Sequence, residues 1–294
     1  MKKLAAILAV LTLFTLVGCS GEETEDKVIY ISAIPDQNQT DLNEAMTELS
    51  KQLSDETGLN IEYKEVVDYS AVVNGFSRNE IQIAWFGGLT GVQARDMVVG
   101  SQAIAQRPKD EEFKSVFIAN TNSDINSIED FKGKSFTFGS ESSTSGHLMP
   151  RYFLNETGIT PEDDFTGEVG YSGSHDKTIE LVENGTYDGG ALNISVWEKY
   201  LEEGLVDTDK VKLVETTEPY YDYNFSIIDK NTFDEEYGSG SYDKIQEALL
   251  NIDIENNEAL YKFFNDTKFI ETKNENYDKI KQVAIDLGII EDEN

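Results

Sequence analysis

The chain has 294 residues, with 24 basic and 56 acidic side chains, a formal net charge of −32, two histidines and one cysteine. So negative a balance argues against nucleic acid or an anionic membrane surface as partner, and a lone cysteine excludes an internal disulfide and any multi-thiolate metal site. With 39% hydrophobic and 11% aromatic residues, the chain has material for one large or two medium cores.

In chain order, Lys2 and Lys3 precede an apolar run from Leu4 to Val17, which closes on Leu16-Val17-Gly18-Cys19. A charged start, a short apolar stretch and a small-residue cleavage site read as a signal peptide, too short to span as a permanent helix. The Leu-Val-Gly-Cys ending resembles a bacterial lipobox, in which the cysteine is acylated and becomes the mature N-terminus. Cys19 is therefore the expected lipidation site, and residues 20–27 read as a polar tether. No later apolar run approaches spanning length, so the mature chain is expected to be soluble but anchored outside the cytoplasm. Loss of Lys2 and Lys3 makes it two units more negative still. An anion bound here meets a repulsive overall field, so affinity has to come from short-range, desolvated donors.

The first strand is expected over 28–33. Leu42, Ala45, Met46, Leu49 and Leu53 recur at three- and four-residue spacing before Gly58, which predicts an amphipathic helix. A second strand over 61–67, a helix over about 70–76, a strand over 81–86 and a loop Gly87-Gly88-Leu89-Thr90 follow. Strand and helix alternate, which favours an α/β layered fold with largely parallel sheets.

The richest stretch is 135–154. A strand-like run with Phe136 and Phe138 breaks at Gly139, five hydroxyl-bearing residues follow between Ser140 and Ser145, and an apolar-periodic segment follows Gly146. That order is strand, polar loop, helix start. Pro150 fits only a first turn and places the start near Gly146 or His147. A helix start carries free N–H groups and the positive end of the macrodipole, so residues 143–147 are expected to cradle a tetrahedral oxyanion. It is not a Walker A loop, because no Gly-Lys-Ser/Thr follows.

A second helix-stop-strand unit appears later. Gly173-Ser174-His175-Asp176 opens a helix that stops at Asn184-Gly185, and 187–192 forms a strand. It parallels Asp68-Tyr69-Ser70, Asn74-Gly75 and the strand ending in Trp85-Phe86-Gly87-Gly88. One such unit per lobe predicts two similar lobes facing each other across a cleft, with ligands at the strands' C-terminal edges. With 116–119 and 224–228 as crossover strands, lobe one is 28–119 plus 229–294 and lobe two is 120–223. Helices around 245–250, 260–264 and 280–287 close lobe one, and Gly238–Ser241 is a turn.

Asp68-Tyr69-Ser70-Ala71-Val72-Val73, Ile83-Ala84-Trp85-Phe86-Gly87, Ser143-Thr144-Ser145-Gly146 with Pro150, and Ser172-Gly173-Ser174-His175 occur in this order over roughly 28–230. Together they resemble the phosphate/phosphite/phosphonate-binding family of ABC-transporter solute-binding proteins. The resemblance implies a two-lobed type 2 periplasmic-binding fold that closes on a small oxyanion, works without a cofactor as a monomer, and delivers its cargo to a permease and ATPase. It also implies roles. Tyr69 offers its hydroxyl from lobe one, Ser143, Thr144, Ser145 and Gly146 hold the oxyanion, and His175 donates from lobe two. Asp188 lies in the strand after the His175 helix, and Asp222 accepts a proton carried by the ligand, since a carboxylate facing an anion is otherwise repulsive.

Two departures narrow the ligand. Phe86 stands where the family often carries a tyrosine, which removes a donor. Ser195 stands about where aminophosphonate binders carry a glutamate, which argues against an aminoalkylphosphonate. Phosphite, phosphate, hypophosphite, a small alkylphosphonate or another tetrahedral oxyanion such as selenate fits better. Trp85 is expected in the core. Competing readings are a hydrolase, for which there is neither a Gly-x-Ser-x-Gly elbow nor a His-Glu-x-x-His pair, a metal-binding receptor using His147 and His175, and a signalling co-receptor.

Overall fold

Alternating β-branched and apolar residues set β1 (Ile29–Ala33), which pairs in parallel with β2 (Ile61–Tyr63) and β3 (Ile83–Phe86). The computed structural model describes residues 27–291. The signal segment, Cys19 and tether residues 20–26 lie outside the described residues. Between β1 and β2 runs α1 (Gln39–Thr57), capped by the Asn38 side chain and ended by Gly58 at φ 72°, a left-handed geometry that suits glycine. Its predicted stripe from Leu42 to Leu53 is buried. The second strand ends at Tyr63, earlier than predicted, and Val67 is exposed. After α2 (Tyr69–Ser77) and β3, the segment expected as a loop is instead the start of α3 (Gly88–Met97), with Gly87 at the cap position.

The chain continues through β4 (Gln102–Gln106), β5 (Ser115–Asn120), β6 (Phe136–Phe138), α4 (Met149–Glu156), α5 (Pro161–Asp164), β7 (Gly170–Tyr171), α6 (His175–Glu183), β8 (Gly189–Asn193), α7 (Ile194–Glu202), β9 (Val211–Thr216) and β10 (Asn224–Ile227). A closing tail adds α8 (Lys230–Tyr237), α9 (Ser241–Asn251), α10 (Glu258–Phe264), β11 (Ile270–Glu271) and α11 (Asp278–Asp286). The predicted tail helices fall within α9, α10 and α11.

Two mixed sheets result, in the orders β11-β4-β10-β3-β1-β2 and β7-β6-β8-β5-β9. Apart from β11 they match position for position: β10 enters the first sheet antiparallel between β3 and β4, as β5 enters the second between β8 and β9. Each of these strands is the first formed after the chain crosses between lobes.

This corrects one boundary. Val116–Ala119, expected to close lobe one, lies wholly inside the second sheet. The connections between sheets are 107–114 and 217–223, and they pair with each other at Phe113 and Tyr220. The reason is two-sided burial. Phe117 and Ala119 face a phenylalanine-rich core with Phe131, Phe136 and Phe138, while Val116 and Ile118 face Ile179, Val182 and Leu192. A strand covered on both faces is apolar throughout, and its sequence does not announce which lobe it joins.

Candidate ligand-binding site

Four helix N-termini converge where the sheets' C-terminal edges meet: those of α2, α3, the turn leading into α4, and α6. Each brings N–H groups without intrahelical partners and a partial positive charge to one small volume.

The serine loop forms its turn two to three residues before the predicted start. Ser143 is the cap, with its Oγ accepting the Gly146 N–H at 2.9 Å, and Thr144–Leu148 form a five-residue π-helical turn that passes into α4. Pro150 explains the widened turn. It has no N–H to give the Gly146 carbonyl, which instead accepts the Gly139 N–H at 2.8 Å. That contact needs glycine on both sides: a Cβ on Gly146 would lie 3.1 Å from the Gly139 Cα and 3.1 Å from the His175 Cε1. Thr144 and Ser145, in the first turn, have N–H groups that no preceding helical carbonyl can reach.

Across the cleft, Asp68 caps α2 by accepting the Ala71 N–H at 2.7 Å, which sets Tyr69 at the helix start. The Tyr69 hydroxyl is buried without a hydrogen-bond partner, and Asp36, Asp222 and Ser143 are among the groups acting on it. At the start of α3 the Gly88 N–H donates to Asp222 Oδ1 at 2.8 Å, and the Leu89 N–H donates to Thr144 Oγ1 at 2.9 Å from the opposite lobe. Asp222 Oδ2 is buried and partnerless, with the Thr144 and Ser145 hydroxyls nearby. Burial pushes this carboxyl up to about 7. The structure thus brings together Tyr69, Ser143, Thr144, Ser145, Gly146, His175 and Asp222.

His175, the first residue of α6, is fully buried, and burial takes its imidazole down to about 3, so it is neutral. Its N–H donates to the Asp36 carbonyl of lobe one at 2.9 Å. A neutral ring removes the conflict between a histidine and the positive end of a helix. Asp36 accepts the Tyr223 hydroxyl on Oδ2 at 2.6 Å, and its carboxyl rises to about 6 through burial.

Asp188 is a correction. Its Oδ2 accepts both the N–H and the hydroxyl of Ser135 at 2.8 Å, fastening the start of β8 to the start of β6, away from the C-terminal edge where the site forms. His147 is likewise tied elsewhere, to the Glu141 carbonyl at 2.7 Å and Arg151 at 2.9 Å. With it apart from His175, the described residues hold no cluster of metal-ligating side chains. Trp85 is core, stacked on Tyr223 at 5.4 Å, and Phe86 packs edge-on to Phe76. Sequence reasoning missed the Gly88 and Leu89 N–H groups, Asp36, and Ile34, whose Cδ1 approaches the same corner as Thr144 Oγ1 and Asp222 Oδ1 beside Gly87.

Among the described residues, the cations near this volume are held by other partners. Arg107 is buried in the connection between lobes, paired with Asp110 at 2.7 Å and stacked 4.8 Å over Tyr223. Arg95 is bound to Asn224 and Ser226. At the rim, Lys199 of α7 reaches Asp41 of α1 at 3.3 Å, and Lys262 reaches the same carboxylate at 2.8 Å.

Known proteins resemble this chain in sequence and fold. The pattern of the family described as "ABC transporter, phosphonate, periplasmic substrate-binding protein" matches residues 31–277. A probable ABC transporter phosphite binding protein, PhnD1 of Prochlorococcus marinus, is 40% identical over 272 residues, which are 90% of this chain and 91% of that protein. The structure of PhnD1 in complex with methylphosphonate superposes with a TM-score of 0.86 at 39% identity, covering 90% of this chain and all of that one. A binding component of an ABC phosphonate transporter from Pseudomonas aeruginosa shares the fold at 21% identity and a TM-score of 0.75, covering 89% of this chain and 86% of that one. The chain belongs to the phosphonate-binding family of periplasmic substrate-binding proteins of ABC transporters.

Proposed function

We propose that this protein captures a small phosphorus oxyanion of the phosphite or methylphosphonate kind between its lobes and presents it to an ABC permease. One observation carries this reading: the Tyr69 hydroxyl and Asp222 Oδ2, both buried and partnerless, meet helix N-termini from both lobes. Buried polar atoms find partners, and a tetrahedral oxyanion supplies them here. Ser143, Thr144, Ser145, Gly146 and His175 complete the cradle.

Asp222 selects among oxyanions. Its carboxyl can face an anionic oxygen only across a proton, which phosphite, phosphonates and phosphate can themselves bring near neutral pH, whereas sulfate or selenate depends on the carboxyl being protonated already. Ile34 adds an apolar wall, which suits a P–H or P–CH3 group better than a fourth oxygen. We read the protein as a carrier and not an enzyme, because among the described residues neither His147 nor His175 is hydrogen-bonded to a serine hydroxyl. In the same reading Cys19 bears the lipid that holds the protein at the outer face of the membrane, and labelling with an alkynyl fatty acid is expected to disappear in Cys19→Ala.

A thermal-shift panel tests the ligand class, since a bound ligand stabilises by mass action. Phosphite and methylphosphonate are expected to raise Tm and sulfate and selenate to leave it unchanged, with Ser143→Ala and His175→Ala removing the response but not the fold. Equal shifts with sulfate, or a full response in His175→Ala, would overturn the assignment.

A further inference from the structure

We propose that Asp36 is a positioning residue for ligand capture: by accepting the hydrogen bond of the Tyr223 hydroxyl it holds His175 as the Nε2–H tautomer, whose hydrogen rests on the Tyr223 oxygen only at a long 3.4 Å and can be given to an oxyanion that enters beside it. This rests on the reading of His175 as a ligand donor, but the tautomer itself is read without any ligand.

The assignment follows from counting protons. The Tyr223 hydroxyl has one, and it goes to Asp36 Oδ2 at 2.6 Å. The same oxygen accepts the Asn193 side-chain amide at 2.9 Å. Toward His175 Nε2, 3.4 Å away, Tyr223 has only a lone pair left, so Nε2 must carry hydrogen. On the other side of the ring, Nδ1 faces the Asn193 backbone N–H at 3.4 Å and must be bare. The two constraints agree, and both disfavour an imidazolium.

The relay is rigid. The Tyr223 ring is stacked on Trp85 with planes 15° apart and lies 4.8 Å under the Arg107 guanidinium. Asp36 is fixed from the opposite lobe through its carbonyl, which accepts the His175 N–H at 2.9 Å. Without the carboxylate, the one acceptor left among the partners of the Tyr223 hydroxyl is Nε2. Its donation there would turn Nε2 into an acceptor, useless to an anion, and would push the ring hydrogen onto Nδ1 against Asn193. Two tautomers would then compete.

His147 provides a control in the same spectrum. Its Nε2 accepts the Arg151 Nε–H at 2.9 Å, so its Nδ1–H donates to the Glu141 carbonyl at 2.7 Å, the opposite tautomer. The chain has these two histidines and no others.

Long-range proton–nitrogen correlation spectra of labelled protein at neutral pH provide the test. Wild type is expected to show His147 as Nδ1–H and His175 as Nε2–H. Asp36→Ala is expected to average the His175 nitrogens, leave His147 unchanged and weaken methylphosphonate binding about tenfold, the worth of one hydrogen bond. Asp36→Asn, whose amide oxygen still accepts from Tyr223, should restore both pattern and affinity. If Asp36→Ala does not fold, Asp36→Leu, close to Asp in shape but apolar, repeats the measurement. A His175 that is Nδ1–H or doubly protonated in wild type, or one unmoved in the apolar variant, would overturn the proposal. A correct tautomer with no response to any phosphorus oxyanion would refute the ligand reading, and with it the role in capture, while the tautomer assignment stands.

Discussion

Asp222→Asn is the most informative perturbation of the cleft. The carboxyl is fully buried, Oδ1 accepts the Gly88 N–H at 2.8 Å, and burial is the largest cause of its rise from 3.8 to about 7. That rise corresponds to ~4 kcal/mol between neutral and charged forms. The closed state binds this proton more tightly than an unfolded chain does. Its stability is therefore full below the ordinary aspartate value and is lost as pH rises through about 7. Opening the cleft wets the carboxylate, so ~4 kcal/mol is a ceiling on the loss. Asparagine keeps an oxygen for Gly88 and removes the titration. Scanning calorimetry is expected to show the variant gaining on wild type between about pH 4 and pH 8, by up to ~8–15 °C in Tm. Titration calorimetry with methylphosphonate in two buffers of different ionisation enthalpy should show wild type binding one proton with the fully ionised ligand and the variant none. Identical pH profiles for the two proteins, in Tm and in proton uptake, would refute the reasoning.

Gly146→Ala places a Cβ 3.0 Å from Ser143 Oγ and 3.1 Å from the Gly139 Cα, and backbone cannot swing aside. Loss of ~1–3 kcal/mol of stability by denaturant unfolding is expected, together with loss of oxyanion binding. Asp188→Ala unfastens Ser135 and is expected to cost ~1–3 kcal/mol in the same assay while leaving methylphosphonate affinity unchanged. A marked drop in affinity would return Asp188 to the site.

The parts of the site legible in sequence were those whose chemistry is local. Ser140 to Gly146 and Pro150 announce a helix start with donors, and Asp68 followed by Tyr69 announces another. The start of α3 was read as a loop because glycine caps with backbone alone, leaving no side-chain signature. Asp36 escaped notice because its partner Tyr223 is 187 residues away. Asp188 and Asp222 looked alike as acids near a strand end. Only tertiary pairing shows that one meets Ser135 and the other an orphaned corner beside α3. The misplaced lobe boundary has the same origin, since both faces of β5 are covered by residues distant in sequence.

The two connections between the lobes are joined backbone to backbone at Phe113–Tyr220 and again where the Asp222 N–H donates to the Asp110 carbonyl, and the polar atoms at the cleft's centre are buried. In the proposed role, cargo held there is enclosed by both lobes. Its dwell time is then the waiting time for the lobes to part, whatever the strength of individual contacts. Delivery in that role becomes a mechanical event, in which a membrane partner would pry the jaws apart rather than compete for the anion. Substitutions at Phe113, which packs against Tyr220 and Tyr223, would then retune residence time, and with it transport rate.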